Sequence, residues 1–201
     1  MGHLRAQSAA AILKGLVCRA LILVLPALWS LGALPVQAEP PSLPEYAIKS
    51  AYLYQFSSFI ELPPAVFPEP ATPFCICVLG EDPFGPLLDA LQRKTVQGRA
   101  VAVIRLKQVR EGGGCHILFI SPSEAPRLDK ILAALETRPV LTVGDLPGFA
   151  QAGGAIEFVY QDNKIRFAIN LDTARRAGLK ISSKLLSLAM VVRQSSGTAE
   201  R

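Results

Sequence analysis

The sequence predicts an α/β fold, a three-layer α/β/α sandwich around a mostly parallel sheet. Three observations support this. Short and almost wholly apolar runs, such as residues 74–79 and 115–120, are typical of strands buried on both faces of a parallel sheet. Segments with the apolar spacing of helices separate these runs. Two segments that alternate apolar and polar residues, 155–160 and 164–169, indicate one antiparallel hairpin at an edge of the sheet.

Residues 1–38 are expected to be a secretory signal peptide. An apolar run over residues 20–34 follows a basic segment, and small residues precede a cleavage point between Ala38 and Glu39. The basic residues are Arg5, Lys14 and Arg19. A membrane anchor is the alternative, but the run has only about 15 apolar residues, whereas a membrane span needs about 20. We therefore expect an exported mature chain without a transmembrane segment.

The leader also carries much of the positive charge of the chain. The whole sequence holds 21 Lys and Arg against 16 Asp and Glu. Three of the basic residues lie in the leader, which leaves 18 against 16 in the mature chain. A net charge this small gives no reason to expect nucleic-acid binding, which requires a clustered basic surface.

The mature chain is expected to start with a flexible arm, residues 39–44, and to end with a polar tail, residues 194–201. A single domain over residues 45–193 lies between them. Its first element is a helix over residues 46–62, because apolar residues recur at three- and four-residue steps until two prolines stop the pattern. The residues of this apolar face are Ile48, Tyr52, Phe56, Phe59 and Ile60.

The parallel strands are predicted over residues 74–79, 100–106, 115–120 and 140–143. Two helices between them are expected to start at caps followed by proline. These caps are Asp82 before Pro83, and Ser121 before Pro122 in a capping box with Glu124.

Two helices are predicted after the hairpin. Asn170 or Asp172 caps the first, and Gly178 ends it. Ser182 or Ser183 caps the second, which is expected to continue to Val192.

Three cysteines remain once Cys18 leaves with the leader. Cys75 and Cys77 are two residues apart on one strand, so their side chains point to the same face. If the strand that Cys115 opens is a neighbour, one of the two lies within disulfide reach of it. An export compartment allows that bond, and the odd count leaves one thiol over. The alternative is three buried thiols that act as small core residues.

No catalytic, metal-binding or cofactor-binding motif is recognisable. His116 is the single histidine of the mature chain and lies in an apolar strand, which is typical of a core residue. The loop from Gly80 to Gly85 lacks the lysine of a phosphate-binding loop. The carboxylates are scattered, without a spacing that suggests acid–base catalysis. The sequence therefore predicts a protein that is not an enzyme.

A basic cluster lies near the C-terminus, formed by Arg175, Arg176, Lys180 and Lys184. The simpler interpretation is a solvated helix surface whose cations offset the helix dipole. The more specific interpretation is that the cluster contacts an acidic partner surface or lipid headgroups.

Four stretches, spread over nearly all of the mature chain, carry a resemblance to a known family. They are Tyr46-Ala47-Ile48-Lys49-Ser50-Ala51-Tyr52-Leu53-Tyr54-Gln55-Phe56, Cys77-Val78-Leu79-Gly80-Glu81-Asp82-Pro83-Phe84-Gly85, Gly114-Cys115-His116-Ile117-Leu118-Phe119-Ile120-Ser121, and the segment from Ile169 to Leu186. The chain resembles the YfiR family of exported bacterial proteins.

The resemblance implies a periplasmic α/β protein without known catalysis. It implies a homodimer that binds and represses the periplasmic sensor domain of a membrane-bound diguanylate cyclase, so lowering cyclic-di-GMP and biofilm growth. Family members also tie repression to disulfide state. Cys77 and Cys115 match family positions, so the resemblance implies a Cys77–Cys115 disulfide, with Cys75 as an extra thiol that could compete for Cys115.

A second hypothesis is a periplasmic module that binds or senses a small ligand without a cyclase partner. Open α/β sheets bind ligands at the carboxyl ends of their strands. The loops at Gly80, Ser121 and Val143-Gly144-Asp145 would line that edge.

Overall fold

The computed structural model describes residues 43–192. The predicted signal peptide with its Ala38–Glu39 cleavage point, most of the predicted arm and the polar tail lie outside the described residues. The helices are α1 (Leu43–Phe59), α2 (Pro86–Asp89), α3 (Leu128–Leu135), α4 (Leu171–Arg176) and α5 (Ser183–Leu186). Short 3-10 helices cover Pro64–Val66, Ala90–Arg93, Val109–Glu111 and Pro122–Arg127.

The ten strands of residues 43–192 form two sheets. They are β1 (Ile60–Glu61), β2 (Phe74–Leu79), β3 (Thr95–Val96), β4 (Arg99–Leu106), β5 (Ile117–Ile120), β6 (Leu141–Gly144), β7 (Ile156–Gln161), β8 (Lys164–Asn170), β9 (Lys180–Ile181) and β10 (Met190–Val192). Eight of them are ordered β10-β8-β7-β6-β5-β2-β4-β3. Only the β7–β8 hairpin and the short β3–β4 pair are antiparallel in that sheet. The remaining two, β1 and β9, pair antiparallel with each other.

Helices cover both faces of the large sheet. On one face, Phe74, Ile76 and Val78 of β2 belong to a core that includes side chains of α1, α2, α4 and α5. On the other face, Cys75, Cys77 and Leu79 belong to a second core with the apolar residues of α3. Because side chains alternate along a strand, β2 supplies both cores and is buried throughout. The predicted α/β class with a mostly parallel sheet is confirmed.

The helix predicted over residues 46–62 ends earlier than expected. It stops at Phe59, and Ile60 and Glu61 form β1, which pairs with β9. The predicted apolar face is also only partly right. Ile48 is 49% exposed, whereas Leu53, which the pattern did not include, is fully buried. Apolar residues lie on several sides of α1, so its sequence does not reveal which side the sheet will cover.

The second C-terminal helix was predicted to reach Val192, and this is wrong. Helix α5 ends at Leu186, and Met190–Val192 form β10, parallel to β8. The predicted antiparallel hairpin is present as β7 and β8. It does not form the edge of the sheet, because β10 lies beyond β8. Pairing with β10 satisfies backbone N–H and C=O groups of β8 that would otherwise be unpaired at the edge of the sheet.

Two of the predicted helix caps are correct and two are wrong. Asn170 accepts a hydrogen bond from Thr173 N (3.0 Å), and Ser182 accepts one from Leu185 N (3.3 Å). Asp82 instead accepts from Phe84 N within the loop, and α2 starts only at Pro86. Ser121 caps no helix with its side chain, although Pro122 does open a 3-10 turn there.

Candidate functional site

A disulfide joins the middle of β2 to the segment that leads into β5. Cys77 lies within β2, Cys115 comes two residues before β5, and their Cα atoms are 5.8 Å apart. His116 N donates to Cys75 O (3.0 Å), which begins the parallel pairing of the two strands. The Cys77–Cys115 bond is the pairing that the family resemblance implies.

Cys75 is the free cysteine among the described residues. Its side chain faces the same core as Cys77 and is only 7% exposed. Burial raises the pKa of the Cys75 thiol, because the thiolate would lose its hydration. The thiolate is the nucleophilic form, so Cys75 is a weak nucleophile in this environment.

The His116 side chain contacts both β2 and the 3-10 helix Pro64–Val66. Its Nδ1 accepts a hydrogen bond from Cys75 N (2.9 Å), so the proton of the neutral ring is on Nε2, which faces Val66 O at 3.4 Å. The ring stacks between Phe67 and Phe74 at centroid distances of 4.4 and 5.0 Å. With both ring nitrogens engaged and 2% of the residue exposed, His116 has the role of a core residue.

The buried environment of the His116 ring disfavours its protonation. Burial lowers its pKa, the hydrogen bond to Val66 opposes that effect, and the nearby charge of Arg99 lowers the pKa further. The ring is therefore neutral at neutral pH.

A cavity of about 490 Å³ opens beside the disulfide. Three chain segments surround it, and its lining includes the buried residues Cys75, Cys115 and His116. This disulfide cavity is lined by Ala65, Val66, Pro68, Thr72, Cys75, Gly112, Gly113, Gly114, Cys115, His116, Arg138, Pro139 and Val140. It lies at the opposite edge from the loops at which the sequence predicted a ligand.

Two of those loops, after β2 and after β5, pack directly on each other at the carboxyl ends of the strands. Glu81 N donates to Ser123 Oγ (3.0 Å), which ties the loop after β2 to the loop after β5. Gly80 has a φ of +90°, and a Cβ built there would lie 2.5 Å from Ser123 Oγ. Only glycine allows this approach, and it brings the two loops into contact where a ligand was expected.

The third of these loops holds a buried charge cluster that the sequence interpretation missed. The Asp145 carboxylate accepts from Lys49 Nζ (2.9 Å) and from Tyr46 Oη (3.0 Å), and Lys49 also pairs with Glu45. Side chains of Lys49 and Asp145 are each 5% exposed. Burial and the Asp145 charge raise the pKa of Tyr46 well above its ordinary value, so it stays a hydrogen-bond donor.

Lys49, the one basic residue of α1, was the signal that could have revealed this cluster. Its partner was not predictable, because Asp145 lies 96 residues further along the chain. The cluster fastens α1 to the carboxyl edge of the sheet.

The four residues of the predicted basic patch lie on α4, β9 and α5. Arg175 faces Asp172 (3.6 Å), Arg176 faces Glu136 (3.5 Å), and Lys180 faces Glu61 (3.5 Å). The Lys184 ammonium lies 5.7 Å from the centre of the Phe59 ring. The side chains of Arg175 and Lys180 are 73% and 82% exposed, so these ion pairs are open to solvent and weak.

Residues 43–192 contain no group of three or more His, Cys, Asp or Glu placed to hold a metal ion. Over the same residues, no helix has the length and apolar character that a membrane crossing requires.

The model of the YfiR/HmsC-like family matches residues 46–190, from the third residue after the start of α1 into β10. The chain belongs to the YfiR/HmsC-like family. The match covers both cores, the disulfide and all four residues of the basic patch. This family is known in general for periplasmic regulators of diguanylate cyclases, and it is regulatory rather than catalytic.

Two solved structures are similar to this YfiR/HmsC-like chain. One is the ABC domain in complex with L-Trp from Streptococcus pneumonia, at 11% identity and a TM-score of 0.47, with 73% of this chain and 60% of that chain covered. The other is a conserved domain protein from Vibrio cholerae O1 biovar El Tor, at 10% identity and a TM-score of 0.49, with 72% and 60% covered. This chain thus spans less than two thirds of either structure. No curated protein matches it.

Proposed function

We propose that this protein represses an inner-membrane diguanylate cyclase by binding its periplasmic sensor domain, and so lowers cyclic-di-GMP signalling in the cell. The family match over residues 46–190 carries the proposal, because it spans almost the whole folded part of the chain. In this proposal the protein acts from the periplasm as a homodimer, after export and removal of residues 1–38.

The disulfide supports the periplasmic location. Structural disulfides persist in oxidising compartments and are rare in the cytosol. Cys77 is fully buried and Cys115 is 8% exposed, so the bond is part of the core and constrains the fold.

The chemistry of the described residues supports regulation by contact. His116 has both ring nitrogens occupied, Cys75 is a weak nucleophile, and Lys49 is neutralised by carboxylates. None of these groups combines a free nucleophile with a neighbouring base, which covalent catalysis needs.

The basic patch is the surface that we propose for the cyclase. Arg175 and Lys180 extend into solvent, and their neighbouring acids neutralise them only weakly. Lys184 is also exposed. Rim charges of this kind steer partners of opposite charge and raise the association rate. We therefore expect the contacting surface of the sensor domain to be acidic.

The test combines capture and signalling. Crosslinking in the periplasm, followed by purification of the protein, should recover a membrane diguanylate cyclase, and deletion of the gene should raise cyclic-di-GMP. Recovery of no membrane protein together with unchanged cyclic-di-GMP would contradict the proposal.

Charge reversal tests the proposed surface. The double variant Arg175→Glu/Lys180→Glu should weaken capture of the cyclase by about tenfold or more, since like charges across an interface cost several kcal/mol. The matched control is Lys130→Glu/Lys164→Glu, which makes the same change of charge at exposed positions on α3 and β8. Equal capture by both variants would show that the basic patch is not the contact.

A second candidate function is a small-ligand sensing module without a cyclase partner. The disulfide cavity favours it, because a volume of about 490 Å³ falls within the range of small-molecule sites. Unchanged cyclic-di-GMP in the deletion strain, together with saturable ligand binding, would favour this candidate over the first.

A further inference from the structure

We propose that the disulfide cavity binds a small monocarboxylate, with Arg138 as the residue that holds the carboxylate group. The proposal deepens the second candidate function, which rests on the same cavity, and its outcome is independent of the proposed repression of a cyclase. It is argued from the unused donors of Arg138, the charge of the cavity and the nature of its walls.

Arg138 has few partners within the described part of the chain. Its guanidinium makes one long hydrogen bond, from Nη1 to Val109 O at 3.4 Å, and it faces no carboxylate there. A guanidinium carries five N–H donors in a planar fork that matches a carboxylate in two parallel hydrogen bonds. Most of these donors are therefore available to a ligand, at a half-buried position where water competes less than on an open surface.

The Gly112-Gly113-Gly114 loop lies beside Arg138 and lines the cavity with it. A Cβ built on Gly113 would lie 3.8 Å from Arg138 Nη2, so the guanidinium rests against bare backbone. Gly113 N and Gly114 N donate to no group of residues 43–192, in contrast to Gly112 N and Cys115 N. Both glycines line the cavity.

The charge of the cavity favours a ligand with one negative charge. The charge of Arg99 acts on His116, but the Arg99 guanidinium donates to the carbonyls of Glu69, Pro70 and Thr72 and lies over the Phe67 ring. His116 is neutral and has both nitrogens engaged. One available guanidinium matches a carboxylate better than a doubly charged phosphate.

The walls favour a short apolar body behind the carboxylate. Ala65, Val66, Pro68, Pro139 and Val140 line the cavity, together with Cys75 and Cys115. Burying apolar ligand surface against such walls contributes about 25 cal/mol per Å². A branched aliphatic carboxylate of a few carbons would use both the guanidinium and these walls.

An occupant would also shield the disulfide. Cys77 is fully buried, whereas Cys115 is 8% exposed and lines the cavity, so we expect a reducing thiol to approach the bond from the cavity, on the Cys115 side. Attack there forms a bond to Cys115 and releases the Cys77 thiolate, and a ligand in the cavity would block the approach.

The test is titration calorimetry on the oxidised mature protein with isovalerate, its neutral isostere isovaleramide, and inorganic phosphate. Isovalerate should bind saturably, and isovaleramide should bind at least about tenfold more weakly, since charge-assisted hydrogen bonds are about twice as strong as neutral ones. Arg138→Ala should weaken isovalerate binding by about tenfold or more. Arg93→Ala, at an exposed arginine of a 3-10 helix, should leave it unchanged.

A second measurement does not depend on the folding of the variants. Saturating isovalerate should slow the reduction of Cys77–Cys115 by dithiothreitol severalfold in the wild-type protein, and isovaleramide at the same concentration should not. Absence of saturable isovalerate binding, equal binding of acid and amide, or unchanged binding in Arg138→Ala would each overturn the proposal. Binding of phosphate without isovalerate would overturn the ligand class.

Discussion

Cys77 and Cys115 close a loop of 38 residues that contains α2, β3 and β4. In the chain-entropy model, a crosslink over this length restricts the unfolded chain and stabilises the fold by about 3–4 kcal/mol. Cys75, two residues from Cys77 on the same face, contributes only packing. The two neighbouring cysteines therefore differ in their expected effect on stability.

Replacing the disulfide cysteines should show this difference. Cys77→Ala or Cys115→Ala should lower the free energy of unfolding by about 3–4 kcal/mol in urea titrations. Cys75→Ala, a similar loss of volume at a buried site, should cost about 1 kcal/mol. Equal losses at Cys75 and Cys115, or a Cys75–Cys115 bond in peptide mapping of the wild type, would contradict the pairing.

His116 should make stability depend on pH. Its native pKa is lowered, so below its ordinary pKa of about 6.5 the unfolded chain binds a proton that the native chain does not. The contribution of His116 is thus complete above about pH 6.5 and is lost as the pH falls below that value.

The measurement is urea unfolding between about pH 7.5 and 5. His116→Asn keeps an acceptor near Cys75 N but cannot titrate, so its stability should fall less steeply over this range than that of the wild type. His116 is the single histidine after residue 38, so no other histidine of the mature chain adds to the slope. Parallel pH profiles would show that His116 does not titrate as inferred.

At the scale of elements, helix α1 depends on a charge pair that joins it to the end of β6. Removal of Lys49 leaves the Asp145 and Glu45 carboxylates without their cation, and Asp145 Oδ1 already lacks a hydrogen-bond partner among the described residues. Breaking one side of a buried ion pair typically costs about 3–5 kcal/mol.

Lys49→Ala should therefore lower the free energy of unfolding by about 3–5 kcal/mol in chemical denaturation. The double variant Lys49→Met/Asp145→Leu should recover much of this loss, because it removes the uncompensated Asp145 charge. Lys107→Ala, at an exposed position, should change stability by less than about 0.5 kcal/mol. A loss for Lys49→Ala as small as that of Lys107→Ala would contradict the anchoring role.

The loop between β2 and α2 depends on Gly80, and Gly98 provides a matched control. Both have positive φ, +90° and +78°, but a Cβ on Gly98 meets nothing within 4 Å. Gly98→Ala should cost about 1–2 kcal/mol for backbone strain alone. Gly80→Ala should cost about 1–3 kcal/mol more, because its Cβ meets Ser123 and Glu124. Thermal and urea unfolding of both variants measure the difference, and equal losses would contradict close packing of the loops.

The elements that the sequence predicted correctly are those that local chemistry specifies. The β2 and β5 strands are apolar throughout, and Asn170 and Ser182 cap helices within their own turns. The β10 strand was missed, because its residues fit a helix locally and become a strand only by pairing with β8. The Lys49–Asp145 pair was missed for a related reason, since its partners meet only after folding.

At the scale of the whole molecule, five strands have the order β4-β2-β5-β6-β7, in which the chain reverses direction across the sheet at β2. In open α/β sheets, ligands bind at the carboxyl ends of strands at such a reversal. Here the Gly80 and Ser123 loops are in contact at that point, and the disulfide cavity lies at the opposite edge. The position of the cavity follows from loop packing and not from the topology alone.

Export is the prediction that concerns the whole chain. Intact-mass analysis of the protein from a periplasmic extract should give a chain that starts at Glu39, because small residues precede the cleavage point. Ala38→Arg should leave the precursor uncleaved, whereas Gln37→Ser should be processed normally. A cytoplasmic chain that keeps residues 1–38 would contradict both the leader and the proposed periplasmic role.

By itself, the sequence determined the α/β class, most strand positions and the family, since these depend on residue patterns that are local or shared along the whole chain. It left open whether Cys75 or Cys77 pairs with Cys115, and the match of Cys77 and Cys115 to family positions favoured the bond that the structure contains. Only the tertiary structure decided the edge position of β10, the buried Lys49 cluster, the contact of the Gly80 and Ser123 loops and the cavity beside Arg138. Each of these depends on groups far apart in the chain, whose distances and burial are fixed only when the sheet and its two helical layers pack together.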